Sequence, residues 1–302
     1  MRICSLLPGA TEMAFALGLG DQIVGVTHEC DYPADAKNKP VIVRSAIDST
    51  RMSSREIDLK VGELLQAGKG LYTIDERAFI EASPDIILTQ GLCDVCALDY
   101  DDVVKAAGLL PQPPQILSLN PHGLTDLLDD IRRIGEATER RDTAEAIVSD
   151  FTKRINRIAY AAPSYRPRVV CIEWFEPLYT AGHWVPEMVA LAGGDDVLGR
   201  KGEPSAKVEW HQIVDAKPEV ILLMPCGFDT RRTAKESTPL RRREGWNDLP
   251  AVKAANVYAL NGNAYFSRPG PRLINGLEIL ARIIHPEQIT DTSAPSDIAR
   301  LN

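Results

Sequence analysis

The sequence predicts an α/β fold of two Rossmann-like lobes, each built on a mainly parallel sheet, joined by a long connector helix. Strand and helix patterns alternate through both halves of the 302 residues, which is typical of parallel sheets with helices on both faces. A stretch of helical periodicity separates the halves, and the strand pattern at 83–88 is echoed at 217–222. The predicted parts are a first lobe at 1–122, a connector at 123–160, a second lobe at 161–286 and a loose tail at 287–302.

The elements of the first lobe follow from short apolar runs and from helical spacing. Strands are expected at residues 2–7, 22–27, 41–43, 84–90 and 115–119. Helices are expected at residues 10–17, 54–66, 75–82 and 100–107. Thr11 is the expected N-cap of the first helix, and a glycine ends the first and the last of them. Because ligands bind beyond the carboxyl ends of parallel strands, the loops after Leu7, Thr27 and Gln90 are candidate site loops.

The connector and the second lobe are predicted in the same way. Apolar residues recur at helical spacing over 124–159, and the polar segment 138–142 is a candidate break in that helix. Strands are expected at residues 168–174, 218–225 and 256–260. Helices are expected at residues 186–192, 210–216 and 271–284. The segment after Pro286 is rich in Ser, Thr, Asp and Pro, which is typical of a loose terminus.

Composition and charge exclude several classes of protein. The net charge of −8 argues against a nucleic-acid binder, which needs a broad basic surface. Basic runs at 231–232 and 241–243 are interleaved with Glu236 and Glu244, and we expect them to form a solvated loop or helix face. The apolar runs are too short for membrane insertion. The short apolar start is unlike an export signal, which predicts a cytoplasmic protein, or a periplasmic one if a signal peptide was removed.

Loops that follow the strands of the second lobe are rich in aromatic and polar side chains. Aromatic rings at the same end of a sheet form a flat apolar surface with polar handles, which suits a large planar ligand. The alternative is that these rings pack the edge of the lobe. The candidate ligand-binding residues here are Trp174, His183, Trp184, Cys226, Phe228, Asn263, Tyr265, Phe266 and Arg268.

The matching loops of the first lobe are polar. Pro8 and Thr11 open a helix whose free amides could receive an oxygen-bearing group, although a capped helix alone would explain the turn. The other candidate ligand-binding residues are His28, Glu29, Cys30, Tyr32, Gln90 and Cys93.

The sharpest local motif is Cys93-x-x-Cys96. Thiols at this spacing can bind zinc or iron, cycle as a redox pair, or line a ligand or a core. A metal site needs further ligands, and Cys30 and His28 would supply them if their loop meets the Cys93 loop. The six cysteines of the chain do not suggest a disulfide scaffold, so all three interpretations stay open.

Common catalytic motifs are absent from the sequence. The patterns GxSxG, GxGxxG and GxxxxGK[ST] do not occur. A protein that binds a small molecule is therefore favoured over an enzyme. The alternative is a cytoplasmic enzyme or sensor that uses a Cys/His/Glu centre, with or without a metal.

Segments 2–12, 16–21 and 24–27 resemble the opening of the class III substrate-binding proteins of ABC importers. In particular, the chain is similar to a subgroup of cobalamin-binding proteins at 28–33, at the Cys93-x-x-Cys96 motif, at 182–188 and at 263–272. The resemblance implies the class III periplasmic-binding-protein fold, two α/β lobes joined by one rigid helix with the ligand between them. It also implies an ABC importer as partner, provided that the protein is exported.

The resemblance and the aromatic loops together lead to a first hypothesis, a protein that binds cobalamin, another corrinoid or a related tetrapyrrole. The ring of the ligand is expected to lie between the aromatic side chains of the second lobe and Tyr32 with the Cys93 loop. Arg268 and Glu29 would hydrogen-bond the peripheral amides of the ligand.

Overall fold

A computed structural model of the chain describes residues 1–91, 98–287 and 297–301, and it contains two α/β lobes. The first lobe has the strands β1 (Ile3–Ser5), β2 (Ile23–Thr27), β3 (Val41–Ser45), β4 (Tyr72–Ile74), β5 (Ile86–Thr89) and β6 (Gln115–Ser118). Its helices are α1 (Pro8–Ala16), α2 (Ser54–Gln66), α3 (Glu76–Ala82) and α4 (Tyr100–Ala107). The strand order is β4-β3-β2-β1-β5-β6, and every neighbouring pair is parallel except β3 with β4. This is the predicted parallel sheet.

Alternate residues of the central strands point to the two faces of the first sheet, as strand geometry requires. Ile3 of β1 packs in a core with α1, whereas the adjacent Cys4 packs in a second core with Phe79 of α3 and Val103 of α4. All four of these side chains are buried. The sheet is therefore covered on both faces, which explains why its strands read as continuous apolar runs.

The connector consists of two helices, α5 (Leu124–Ala137) and α6 (Arg141–Ala161), in place of the single helix expected over 123–160. The chain turns at Glu139, whose φ of 58° is left-handed, and the Thr138 hydroxyl donates to the carbonyl of Ile134 at 2.7 Å. Gly135 lies against Ala144, so that the two helices pack closely beside this turn. The predicted break at 138–142 thus folds the connector back on itself.

The second lobe holds a seven-stranded mixed sheet. Its strands are β7 (Arg168–Phe175), β8 (Leu178–Thr180), β9 (Asp195–Asp196), β10 (Ala206–Lys207), β11 (Val220–Leu223), β12 (Val257–Leu260) and β13 (Ile298–Arg300). Its helices are α7 (Val185–Leu191), α8 (Trp210–Ala216), α9 (Thr230–Glu236), α10 (Pro250–Lys253), α11 (Gly262–Tyr265) and α12 (Leu273–Ile284). The order is β10-β8-β7-β11-β12-β13, with β9 beside β7.

The central strands β7, β11 and β12 of this sheet are parallel, and antiparallel strands add to both of its edges. One of these edge strands, β13, belongs to the segment that the sequence predicts as a loose tail. Its backbone pairs with β12, so this part of the tail is ordered. The domain boundaries drawn from the sequence stay a prediction.

One hydrophobic core, the shared core, runs from the first lobe through the connector into the second lobe. It includes Met13 of α1, Leu127 of α5, Phe151 of α6 and Leu277 of α12. Arg154 of α6 adds a bidentate pair with a glutamate of α12, at 2.9 and 2.8 Å. In the part of the chain that the structure describes, no helix is both long enough and apolar enough to span a bilayer.

Asp196 in β9 is a buried acid that makes the stability of the fold depend on pH. Burial raises its pKa from 3.8 to about 6, against the opposing effect of the Gly199 and Leu198 amides that donate to it. The folded chain therefore holds this proton more tightly than the unfolded chain does, and stability falls as the pH rises from about 4 to about 6. Asp196→Asn is expected to flatten this part of the pH profile in urea unfolding between about pH 4 and pH 7.

The comparison with the unmodified chain isolates Asp196 from the other buried acids. Burial also raises the pKa of Asp130 to about 6, and that residue contributes equally to both proteins. The same pH slope in the variant and in the unmodified chain would show that Asp196 is not the source.

Candidate functional site

The carboxyl ends of the parallel strands in the two sheets face each other across a cleft. Residues that follow β1, β2 and β3 in the first lobe contact residues that follow β11 and β12 in the second lobe. The loops after β1 and β2 are two of the three that the sequence predicts as site loops. The third follows β5 and runs into residues 92–97, outside the described part of the chain.

Four charged side chains, Glu12, Asp31, Arg268 and Arg272, form an ion cluster between the lobes. Arg272 donates to both carboxylate oxygens of Glu12, at 3.0 and 2.6 Å, and Arg268 pairs with Asp31. The Glu12 side chain is only 2% exposed, and burial is the largest influence on its pKa, which is raised despite the guanidinium of Arg272. A buried pair of this kind depends on both partners, because either charge alone would be left without compensation.

The backbones of the two lobes also touch beside this cluster. A Cβ atom built on Gly9 of α1 would lie 2.2 Å from the carbonyl oxygen of Pro269. Only glycine leaves room for so close an approach. Tyr32 lies over the same region, with the Arg272 guanidinium 4.2 Å from the centre of its ring.

A second contact joins the second lobe to the start of α5. Glu187 of α7 accepts a hydrogen bond from the Leu124 amide at 2.9 Å. It also forms an ion pair with Lys201 at 2.9 Å. The carboxylate thus satisfies one of the free amides at the start of this helix.

A cavity in the cleft, here named the cleft cavity, has a volume of about 720 Å³ and walls from both lobes. The first lobe contributes residues 50–54 and Glu56, and the second contributes Phe175, Glu176 and residues between 229 and 243. These segments lie at the end of β7 and after β3 and β11, which agrees with the rule that ligands bind beyond the carboxyl ends of strands.

Arg232 of α9 ties the two walls of the cleft cavity together. Its guanidinium donates to the carbonyls of Ser49 and Met52 in the first lobe, at 3.1 and 2.6 Å. It also lies 3.7 Å from the centre of the Phe228 ring and pairs with Glu236 at 3.2 Å. The expectation that 231–232 is only a solvated face is therefore corrected for Arg232, which is a contact between the lobes.

Several predicted ligand-stacking rings are instead packed inside the second lobe. Trp184 is 5% exposed, and its Nε1 donates to the carbonyl of Phe266, which is also buried. Phe228 is buried between Trp174, at 5.4 Å between ring centres, and Arg232. For Trp184, Phe228 and Phe266 the prediction of a ring facing the ligand is corrected, because burial leaves no face of the ring open. Edge packing, the alternative interpretation, describes them.

Other predicted residues of the second lobe do lie where the lobes meet. Asn263 donates to Asp31 at 3.3 Å and accepts from Arg268 at 2.7 Å. Trp174 is half-buried, as is Tyr265, whose hydroxyl donates to Asp297 and whose pKa burial raises to about 12. Their contact with a ligand stays a prediction.

Cys226 is open to solvent, and yet surrounding protein raises its pKa to about 12, with Glu173 as a second cause. Both observations fit a thiol that lines a concave surface. Glu29 of the first lobe is a smaller cause that also raises the pKa of this thiol. His183 is half-buried with a left-handed φ of 52°, and burial lowers its pKa.

The predicted residues of the first lobe divide into buried and exposed sets. Thr11, Cys30 and Gln90 are buried, and Pro8 is half-buried at the start of α1. The expectation that Thr11 caps α1 is corrected, since the helix begins at Pro8 and the Thr11 hydroxyl donates to Ser5 inside the lobe at 2.8 Å.

His28 and Tyr32 are exposed, and the Glu29 carboxylate lies 4.0 Å from the ring of His28. Burial raises the pKa of Cys30, whose sulfur lies 3.1 Å from the Thr11 hydroxyl, so it stays a neutral thiol. Among residues 1–91, 98–287 and 297–301, no group of His, Cys, Asp and Glu is arranged to hold a metal. The Cys93-x-x-Cys96 motif lies outside the described residues, and the described ones lend no support to a thiol-based enzyme centre.

The structure also shows functional residues that sequence reasoning missed. Glu12 and Arg272 are 260 positions apart, and nothing in the local pattern of either one pairs them. The walls of the cleft cavity at 50–56 and 229–243 were missed as well. The sequence offered one signal for the wall at 229–243, a cluster of arginines in a chain whose net charge is negative.

The chain is similar to known binding proteins over most of its length. A sequence profile of the family described as periplasmic binding protein matches residues 3–264. An uncharacterized ABC transporter substrate-binding lipoprotein of Bacillus subtilis is 27% identical over 294 residues, which are 95% of this chain and 80% of that protein. A vitamin B12-binding protein of Vibrio cholerae is 24% identical over 284 residues, 92% of this chain and 86% of that one.

Solved structures confirm the fold. The periplasmic haem-binding protein RhuT from Roseiflexus sp. RS-1, in its apo form, superposes with a TM-score of 0.68 at 21% identity. The superposition covers 94% of this chain and 98% of the other. The class III two-lobed fold expected from the sequence is thereby confirmed.

Proposed function

Because the chain belongs to the periplasmic binding protein family, we propose that it holds a corrinoid or a related tetrapyrrole between its lobes. The observation that carries this proposal is the cleft cavity of about 720 Å³ with walls from both lobes. Sites for small molecules usually have volumes of about 300–1,000 Å³, and this one lies in the upper part of that range. A relative that is a vitamin B12-binding protein and a structural neighbour that is a haem-binding protein support a ligand of this size and class.

An ABC importer is the partner that we propose, on the ground that a relative is an ABC transporter substrate-binding lipoprotein. Delivery to an importer requires that the protein reach the membrane face from which the importer takes up its substrate. The ion cluster and Arg232 would then hold the lobes around the ligand.

Calorimetric titration of the purified chain with cobalamin and, separately, with haem tests the binding proposal. One of the two is expected to bind with one ligand per chain and a Kd in the micromolar range or below. Thr238→Trp, which places a large ring at a residue of the cavity wall, is expected to abolish or strongly weaken that binding. Thr73→Trp adds the same ring on exposed β4, outside the cavity lining, and is expected to leave it unchanged.

The binding proposal fails if neither ligand produces heat or a spectral change at tens of micromolar. It also fails, for this cavity, if Thr238→Trp binds as well as Thr73→Trp. Unchanged urea unfolding of both variants would show that the difference reports on the cavity and not on loss of the fold.

A further inference from the structure

We propose that the cleft cavity takes an anionic ligand, whose carboxylate or phosphate groups lie against Arg51, Arg231 and Lys235. This inference rests on the proposed function and names the class of ligand within it. Some members of the proposed ligand class carry acidic groups at the edge of the ring, and others carry amides there. On this inference the cavity favours the acidic members.

The acidic side chains of the cavity wall are already engaged. Asp229 and Glu56 accept hydrogen bonds from backbone amides at the starts of α9 and α2, at 2.7 Å each. Glu236 accepts from a guanidinium of its own helix and from the Ser54 amide, at 3.2 and 3.1 Å. Glu176 lies 3.7 Å from Arg55. Each of these carboxylates thus has at least one partner, and the backbone amides leave the negative charge of Asp229 and Glu56 in place.

The cationic side chains of the wall are not balanced in the same way. Arg232 is held by two carbonyls and Glu236, and Arg243 lies 5.7 Å from the Trp210 ring. Within the described residues, no ion pair of 4.0 Å or less is formed by the other three, Arg51, Arg231 and Lys235. Hydrogen bonds from Thr50 have the larger effects in lowering the pKa of the exposed Asp48, and the charge of Arg51 lowers that pKa further.

The lining holds five cationic side chains against four carboxylates, whereas the chain as a whole is acidic. The sequence has 34 Lys and Arg against 42 Asp and Glu, so an average surface would be acidic. Three cations without an ion pair in the described part of the chain, all on one concave wall, raise the local concentration of anionic ligands and speed their association. A guanidinium also matches the geometry of carboxylate and phosphate oxygens.

Two sources of such acidic groups are distinguishable. Haem carries free carboxylates on a porphyrin ring, and cobyrinic acid carries them on a corrin ring. Cobinamide has the corrin ring of cobyrinic acid but bears amides in place of the acids. Comparison of the three separates the charge of the ligand from the type of ring.

The test is a titration of the full chain with haem, cobyrinic acid and cobinamide in separate experiments. Binding is monitored by the change in tryptophan fluorescence. At least one acidic ring is expected to bind at least about tenfold more tightly than cobinamide, because each of its acidic groups would gain a modest, solvent-screened attraction to an exposed cation of the wall. The triple variant Arg51→Gln, Arg231→Gln, Lys235→Gln is expected to weaken the acidic ring about tenfold and to leave cobinamide unchanged.

A matched control carries the same three losses of charge outside the cavity: Lys69→Gln, Arg140→Gln and Lys153→Gln, all at exposed positions. This control is expected to bind every probe as the unmodified chain does. Equal binding of cobinamide and the acidic rings, or equal effects of the two triple variants, would overturn the inference and leave the proposed function standing. Failure of all three rings to bind would overturn the proposed function itself, and this inference with it.

Discussion

Replacement of Arg272 with Met is expected to lower the free energy of unfolding by about 3–5 kcal/mol. The side chain pairs through two hydrogen bonds with Glu12, whose carboxyl is 2% exposed. Without Arg272 the acid must stay charged and buried or take up a proton on folding, and both cost stability. Urea unfolding near neutral pH measures the loss.

The pH dependence of this variant supplies an independent check. Burial already raises the pKa of Glu12, and loss of the guanidinium removes an influence that lowers it. The variant should therefore regain part of its stability as the pH falls and the carboxyl becomes protonated. Arg132→Met is the control, because that arginine pairs at the surface with Asp129 and Glu145, and a loss of about 1 kcal/mol or less is expected. Equal losses in the two variants would contradict the buried role of Arg272.

Replacement of Gly9 with Ala is expected to force the lobes apart at the ion cluster. The new methyl group would lie 2.2 Å from a backbone oxygen of Pro269, and a backbone atom cannot move aside as a flexible side chain can. We expect a loss near the upper end of the usual overpacking cost, about 3 kcal/mol, measured by urea unfolding. Small-angle scattering should show a larger radius of gyration.

Gly62 provides the control for this substitution. It lies within α2, and a Cβ built there meets no atom within 4 Å. Gly62→Ala is expected to stabilise the chain by up to about 1 kcal/mol through helix propensity. A Gly9→Ala protein as stable and as compact as Gly62→Ala would mean that the lobes do not approach each other as described.

Elements with strong local signals were predicted to the residue. The predicted bounds of α2 agree with the structure, and Ser53 and Glu56 form a capping box at its start. The bounds of α4 and α8 also agree. By contrast, β13 exists only because its backbone meets β12, and a polar terminal segment gives no local sign of such a partner. The local sequence of this segment does not show that it pairs with β12, and the strand was therefore not predicted.

The sequence predicted which loops lie at the cleft, but it did not predict which of their side chains are exposed there. The rule for parallel strands placed the loops after β1 and β2 at the cleft, and Asn263 and Arg268 do meet Asp31 there. The exposure of a ring such as Trp184 depends on how the whole lobe packs, which the order of residues does not reveal. The cytoplasmic location expected from the sequence stays a prediction.

The shared core makes the stability of each half depend on the other half. A cut between α5 and α6 would leave Leu127 on one piece and Phe151 on the other, and each would expose apolar surface that is now dry. Each half would keep a core of its own but would lose the part of its apolar burial that the other half supplies. We therefore expect the unfolding of one lobe to destabilise the other.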